Sequence, residues 1–424
     1  MRDYLVLLLV VAVIPVALYR PFIGLLGFSW LAYMRPQDLA WGLASQMPLS
    51  KYVAAALWLG LMMRGKLNVF RRTPITLVML ALWIWLFVTS VTAIHNDVAF
   101  AKLEDISKVM LIAMITLVLV TDVKRFRWTM AVIGVSIGVL GLKYGAYGVM
   151  RGGVHFTKGV GGMIGDNNDF ALALNLALPV LVYLVWDLPS KWPRLLCLAL
   201  VPMNAITVVF THSRGGFLSL AALTLWLVLQ SRRKWVALLL VAGLGIGGSL
   251  IVDQSFYDRI ASISDFRSDG SAMGRLNAWQ ASISMANDYP VFGVGLDNFL
   301  FQFVYYAPDP DDLHVAHNTW LQVLAETGYT GLVIYVSLFL VTAWTLARAA
   351  RRARRFRISW AQNATKCLSA SILAFVVGGT FLNRAHFDLI YHLMAMCACL
   401  DRLLAWEIRQ MLAAEAEPEE AEAA

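Results

Sequence analysis

ITLVMLALWIWLFVTSVTAI (residues 75–94) carries no ionisable side chain and follows directly on Arg71, Arg72, Thr73 and Pro74. A run of about 20 apolar residues is what a helix needs to cross the hydrocarbon core of a bilayer. In that core only a helix or a closed barrel satisfies its own backbone. The run therefore predicts a membrane helix, and the same reading applies along most of the chain. Hydrophobic residues make up 59% of the sequence and charged residues 15%, against roughly 45–50% and 25% in soluble domains. That balance excludes a soluble enzyme on a single anchor.

Further helices are predicted at 52–63, 106–121, 128–147, 170–186, 195–210, 217–230, 236–252, 332–347, 368–381 and 389–406. Two shorter apolar stretches, 5–18 and 22–34, flank Tyr19, Arg20 and Pro21, where proline ends or bends a helix. They are expected to share one broken passage, which gives about twelve crossings and puts both termini on the inner side. The predicted fold is all-α: one polytopic membrane domain over residues 1–412, with a large outer loop, 253–316, inserted in it. The Ala- and Glu-rich tail, 413–424, is too polar to bury anything and is expected to be disordered in the cytoplasm.

A net charge of +8 raises nucleic acid as a partner. The basic residues instead fall in clusters between alternate spans: Arg64, Lys66, Arg71 and Arg72; Lys124, Arg125 and Arg127; Lys191 and Arg194; Arg232, Arg233 and Lys234; and the dense run 348–357. Positive charge at every second connection sets topology, so the loops between, including 253–316, face outward and nucleic acid is not expected. Cys197, Cys367, Cys397 and Cys399 all lie in apolar segments and read as small hydrophobes rather than as a disulfide or metal framework.

The long polar interruption runs from Asp253 to Gly328 and closes with HNTWLQVLAETG (317–328). Within it, residues 275–287 read as an amphipathic helix with Leu276, Trp279, Ile283 and Ala286 on one face and Asn277, Gln280 and Ser284 elsewhere. Pro290 stops that helix, Gly293 and Gly295 allow a tight turn, and the aromatic segment 299–306 suits a membrane interface. Three basic or titrating positions stand at outer boundaries: Arg214 in THSRGG, Arg275 in GRLNAW, and His317.

Arginine at a membrane edge can simply snorkel. Arg214, however, sits where the topological bias for basic residues is absent, beside Ser213, Gly215 and Gly216, which would let a ligand approach the backbone. A guanidinium fork matches phosphate oxygens, and two of them could hold a diphosphate without a metal. His317 is either a structural histidine or a neutral imidazole able to take a proton from a hydroxyl. Asn318 could orient a substrate or cap the following helix, and Glu326 lies too far along that helix to reach His317. GDNND (165–169) reads first as a helix cap, with Asn167 and Asn168 as candidates to touch substrate. A divalent-metal site there is the minor reading. No ligand set and no cofactor are expected.

THSRGG, then GR followed by Trp279, then the P-x-x-G-x-G of residues 290–295, then HN with E-x-G nine residues later, resembles the O-antigen ligase and polymerase superfamily of bacterial envelope enzymes. GDNNDFA is similar to the family's Asn-containing outer motif. The opening RDY, RPFIGLL and YMRPQDLAWG resembles a branch of O-glycosylation ligases linked to exosortase-type surface systems. The resemblance implies a metal-independent multi-span glycosyltransferase of the inner membrane with about twelve helices and a periplasmic site. It implies a glycan donor on undecaprenyl diphosphate, and for the ligases a sugar hydroxyl of the lipid A core as acceptor, completing lipopolysaccharide. Carried across, the base falls on His317 and the diphosphate arginines on Arg214 and Arg275. Direct attack would invert the anomeric centre, since no paired carboxylate suggests a covalent intermediate. A polymerase, a protein O-glycosylation ligase and a transporter of lipid-linked sugars remain the other readings. Transporters carry repeated halves and mid-membrane ionisable groups, whereas here the notable polar residues share one outer face.

Overall fold

The computed structural model describes residues 2–40, 42–65, 72–231, 235 and 270–422. The basic cluster 232–234, the predicted helix 236–252 and the first part of the outer loop lie outside the described residues. The regular elements described are α1 (Arg2–Tyr19), α2 (Pro21–Tyr33), α3 (Leu43–Gln46), α4 (Leu49–Met63), α5 (Pro74–Val91), α6 (Asn96–Leu119), α7 (Val123–Met150), α8 (Asn167–Asp187), α9 (Lys191–Phe210), α10 (Arg214–Gln230), α11 (Gly270–Asp288), α12 (Phe299–Tyr306), α13 (Thr319–Arg355), α14 (Ser359–Gly379) and α15 (Asp388–Glu422), with one 3-10 turn at Gly162–Ile164. Among them, seven are long and apolar enough to cross a membrane: α1, α5, α7, α8, α9, α13 and α15. Helices α2, α4 and α10 are apolar but shorter.

Helix α8 is the hub. Its most apolar window is 83% buried, because apolar side chains surround it on every face and it packs on α7, α9, α10 and α14 together. Its one mid-helix amide, Asn175, donates Nδ2–H to the Gly216 carbonyl at 2.8 Å, so the buried polar group is engaged. The outermost helix, α1, is only 17% buried.

The first two helices correct the expected shared passage. Pro21 does end α1, but α2 folds back against it: Gly24 faces Ala17 and Gly27 faces Val13, the pairing of an antiparallel hairpin. Helix α4 packs on both, with Gly60 against the Leu18 carbonyl, Arg64 donating to the Tyr19 carbonyl, and Ala44 N–H donating to Asp3 Oδ1 at 2.8 Å just ahead of it. Small residues let these helices approach closely, the usual basis of helix association in lipid. α1 and α4 therefore run parallel. Asp3 comes to the same end of the bundle as the loop after α7, where Gly161 meets Asp38 and Gly162 meets Arg35. Helix α15 is described as far as Glu422, in a stretch of Ala and Glu, which are among the strongest helix formers.

Of the basic clusters, the described residues Arg125, Arg127, Arg348 and Arg352 lie at the end of the bundle where α6 finishes. There Arg127 Nε pairs with Asp187 at 2.5 Å, Arg348 Nη2 pairs with Asp401 at 2.6 Å, and Arg125 donates to the Leu119 carbonyl at 2.9 Å.

The outer elements are held by a backbone clasp. Val294 N–H donates to the Ala325 carbonyl at 2.9 Å, Gly295 N–H to Glu326 at 3.1 Å, and Tyr329 N–H to Pro290 at 2.9 Å. Gly293 (φ +69) and Gly328 (φ +71) make the approach possible, since a Cβ on either would collide with the opposing backbone. P-x-x-G-x-G and E-x-G are thus the two halves of one structural device, and the kink at Gly328 lets α13 begin at Thr319 rather than near residue 332.

Helix α11 forms where expected, but its buried side is Asn277, Ala278, Ala281, Ser282 and Met285, while Leu276 and Ile283 are exposed. Small side chains permit close packing on α13. The apolar face read from the sequence is therefore split: Ala286 is buried and Trp279 half-buried, while Leu276 and Ile283 point outward.

Candidate active site

His317 sits between two fixed points. On one side Trp279 Nε1–H of α11 donates to the Ala316 carbonyl at 2.8 Å. On the other, Asn318 Oδ1 caps α13, accepting from Trp320 N–H at 3.0 Å and Leu321 N–H at 3.2 Å. Between them His317 is held at φ +43, a region that non-glycine residues rarely occupy and that clusters at functional sites. Asn318, expected to orient a substrate or cap the helix, is the cap.

Arg275 lies one turn before Trp279 on α11, and its charge acts on His317. Asn277 locks the same helix to the turn at 309–312, donating Nδ2–H to the Asp309 carbonyl at 2.7 Å and accepting from Asp309 N–H at 3.0 Å. Burial pushes the His317 imidazole down to about 4, helped by the charges of Arg275, His314 and Arg384 and opposed by Asp166. The ring is neutral at physiological pH, with a lone pair free to accept a proton.

Arg214 opens α10. Ser213 Oγ accepts from Gly216 N–H at 3.0 Å, and His212 precedes it at φ +52 with its ring stacked on His155, centroids 4.3 Å apart. The glycines do not expose backbone to a ligand: Gly215 is covered by Phe381 and Gly216 by Ala171, so they serve helix packing. Asn167 Nδ2–H donates to the Thr211 carbonyl at 2.9 Å, tying GDNND to THSRGG. Asp166 caps α8 by accepting from Asn168 N–H at 2.8 Å, and also accepts from the Asn168 amide at 2.9 Å. The capping reading of this segment holds, and both asparagine amides are engaged within the protein.

Sequence reasoning passed over Arg384. It forms a two-point ion pair with Asp169, a carboxylate 3% exposed at the start of α8. Its backbone N–H donates to Thr319 Oγ1 at 3.2 Å, that hydroxyl donates to the Leu382 carbonyl at 2.9 Å, and Ala385 N–H donates to Gln322 Oε1 at 3.2 Å. Loop 380–387 is therefore bound to the first turns of α13, directly after His317, and meets Arg214's helix through Phe381. The signal was available: Arg384, like Arg214, is a basic residue at an outer helix end, away from the inner clusters. Among the described residues no three His, Cys, Asp or Glu side chains converge as metal ligands would.

Residues 199–336 match the family model described as O-antigen ligase. This match supports membership of the O-antigen ligase and polymerase superfamily. The matched segment spans THSRGG, α11 with Arg275, the glycine clasp and His317. Residues 1–171 match a family of unknown function, DUF5935, which takes in the N-terminal hairpin and ends just past GDNND. No curated protein matches the chain. The O-antigen ligase family consists of glycosyltransferase-like ligases and polymerases, and together with the apolar helices it supports a multi-pass membrane enzyme of this kind.

Proposed function

We propose that the protein is an O-antigen ligase of the inner membrane. In this reading it transfers a glycan from undecaprenyl diphosphate to a sugar hydroxyl of the lipid A core at the periplasmic face, completing lipopolysaccharide. The observation that supports this reading is a backbone-constrained His317 that feels the charge of Arg275, with the helix opened by Arg214 joined to the start of α13 through loop 380–387.

The acceptor oxygen attacks the anomeric carbon as the bond from that carbon to the phosphate oxygen breaks, and the acceptor proton passes to the His317 imidazole. Negative charge grows on the departing diphosphate, where the guanidinium groups of Arg214 and Arg275 stabilise it more strongly than in the ground state. One displacement inverts the anomeric centre. The two arginines supply the cationic clamp, so the reaction needs no divalent ion. An apolar groove of about 620 Å³ between α10, α13 and α14 starts at Trp320 and passes Phe339 and Leu340 toward Arg351. Its upper end adjoins the site through the Trp320 Nε1–H bond to Thr380 at 3.2 Å, which suits an isoprenoid chain whose diphosphate sits above it.

The test is purified full-length protein in detergent with undecaprenyl diphosphate-linked glycan, excess chelator, and either lipid A core or a surface protein as acceptor. Glycosylated lipid A core is the expected product. Glycosylated protein alone would assign the chain to the O-glycosylation ligases that its opening segment resembles, and lengthened lipid-linked glycan would make it a polymerase. No covalent product with any acceptor would leave the transporter reading.

A further inference from the structure

A second cavity, of about 230 Å³, is lined in part by loop 380–387. Its polar wall is built from Lys102 and Asp105 of α6, Gln322 of α13, and Asn383, Arg384 and His386 of the loop. Three atoms in this wall, Asn383 Oδ1 and both ring nitrogens of His386, make no hydrogen bond to any described residue. His386 is only 8% exposed, so its ring is removed from bulk water while it faces the cavity. Behind it stands Glu326, 2% exposed, with Oε2 3.9 Å from His386 Nε2 and likewise unpaired among the described residues. Buried polar atoms left without partners are costly and normally have a reason.

The character of the wall narrows what could pair with them. Lys102 and Asp105 carry opposite charges, and Arg384 is already neutralised by Asp169. The cavity therefore has no excess positive charge to attract a phosphate or a carboxylate. Donors and acceptors both line it, together with the apolar side chains of Ile106, Val109 and Met163. A pyranose ring has the same two aspects, a rim of hydroxyls and a C–H face. The volume is below the roughly 300–1,000 Å³ of pockets for drug-sized ligands, a size for one ring rather than a chain.

Loop 380–387 touches Arg214's helix through Phe381 and lines this cavity with Asn383, Arg384 and His386, and Thr319, two residues after His317, is hydrogen-bonded to it. A diphosphate held by Arg214 and Arg275 and a ring in this cavity would thus be joined by the loop bound to the residues directly after His317. We propose that the cavity is the acceptor subsite, binding a neutral hexose-type ring through Asn383, His386, Lys102 and Gln322 and presenting one hydroxyl to His317. The word acceptor rests on the transferase reading above. The sugar subsite does not.

Saturation-transfer NMR on the full-length protein in detergent, with glucose and galactose as probes and glucuronate and inorganic phosphate as competitors, tests the subsite without turnover. Neutral hexoses should bind, neither anion should displace them, and binding should weaken at least about tenfold in Asn383→Ala and His386→Ala. Met163→Trp adds bulk to the cavity lining from a half-buried position in the 3-10 turn, and should have the same effect. Arg214→Ala should leave hexose binding intact. No hexose binding by the wild type, binding unaltered in all three cavity variants, or preferential binding of either anion would overturn the subsite. Hexose binding that behaves as described in a protein that transfers no glycan would sink the transferase reading alone. During turnover, His386→Ala should raise the KM for acceptor and leave the KM for donor unchanged. The reverse pattern would give the cavity to the donor glycan and overturn the assignment.

Discussion

The two ends of the helix bundle use the same side chain for different purposes. At the end bearing the basic clusters, Arg125 and Arg402 donate to carbonyls that finish α6, and Arg127, Arg348 and Arg352 pair with Asp187 and Asp401 on neighbouring helices. Cations at helix C-termini complement the dipole and the open carbonyls, so these arginines are explained by the helices they join. At the other end, the charge of Arg275 on α11 acts on His317, Arg384 secures a loop, and the backbone departs from helix at His212 and His317 with positive φ. Charge density alone would mark the first end as functional. The distinguishing feature of the second is irregular, constrained backbone around a few titrating groups, where strain is retained because something requires it.

The contrast can be broken or sharpened by substitution. Removing one member of a buried ion pair typically costs about 3–5 kcal/mol, so Arg384→Met should lower the thermal midpoint sharply and reduce transfer, because Asp169 is left buried without its partner. Equal stability to wild type would mean that loop 380–387 does not depend on the pair. Arg214→Ala and Arg275→Ala should each lose about 10²–10³ in rate, the usual effect of deleting one charge-stabilising donor. Their lysine versions should retain partial activity and weaker donor use, since lysine keeps the charge and loses the planar fork. Gly328→Ala should destabilise by more than about 1 kcal/mol, because the clasp needs φ +71 there. At the basic end, Arg125→Gln should cost about 0.3–1 kcal/mol in thermal unfolding with transfer unchanged, and a tenfold loss of activity there would erase the distinction between the ends.

The pH response is the gentlest of these tests. In the unfolded chain histidine titrates near about 6.5, whereas burial and Arg275 hold His317 at about 4. The unfolded state therefore binds more protons between those values. The stability due to a neutral His317 is complete above about pH 6.5 and lost as pH falls through about 4. Transfer should stay level from about pH 8 to about pH 5 and fall near 4. An acid limb centred near 6.5 would mean that the imidazole is solvated.

Much of this was legible in the sequence, for identifiable reasons. Uncharged runs such as 75–94 name the helices, the alternating basic clusters name one end of the bundle, and HN before a helix gives both the cap at Asn318 and the position of His317. What failed depends on which apolar surface meets which. In lipid both faces of a helix can be apolar, so periodicity does not reveal that α11 buries Ala278 and Ala281 and exposes Leu276 and Ile283. The hairpin of α1 and α2 rests on Ala17 meeting Gly24 and Val13 meeting Gly27, a pairing that no local signal announces. Gly215 and Gly216 illustrate the same limit, since small residues suit a ligand and a packed helix equally well. Arg384 differs: its position at an outer helix end was readable, but the partner that gives it meaning lies far away in sequence at Asp169.

The most direct test is the single-turnover rate of His317→Ala with the lipid-linked glycan bound and lipid A core in excess. If the imidazole takes the acceptor proton, the variant should fold, melt near the wild-type temperature and bind donor normally, yet transfer about 10²–10⁴ times more slowly. Wild-type turnover in a well-folded His317→Ala protein would contradict the assignment and leave His317 as a constrained turn residue ahead of α13.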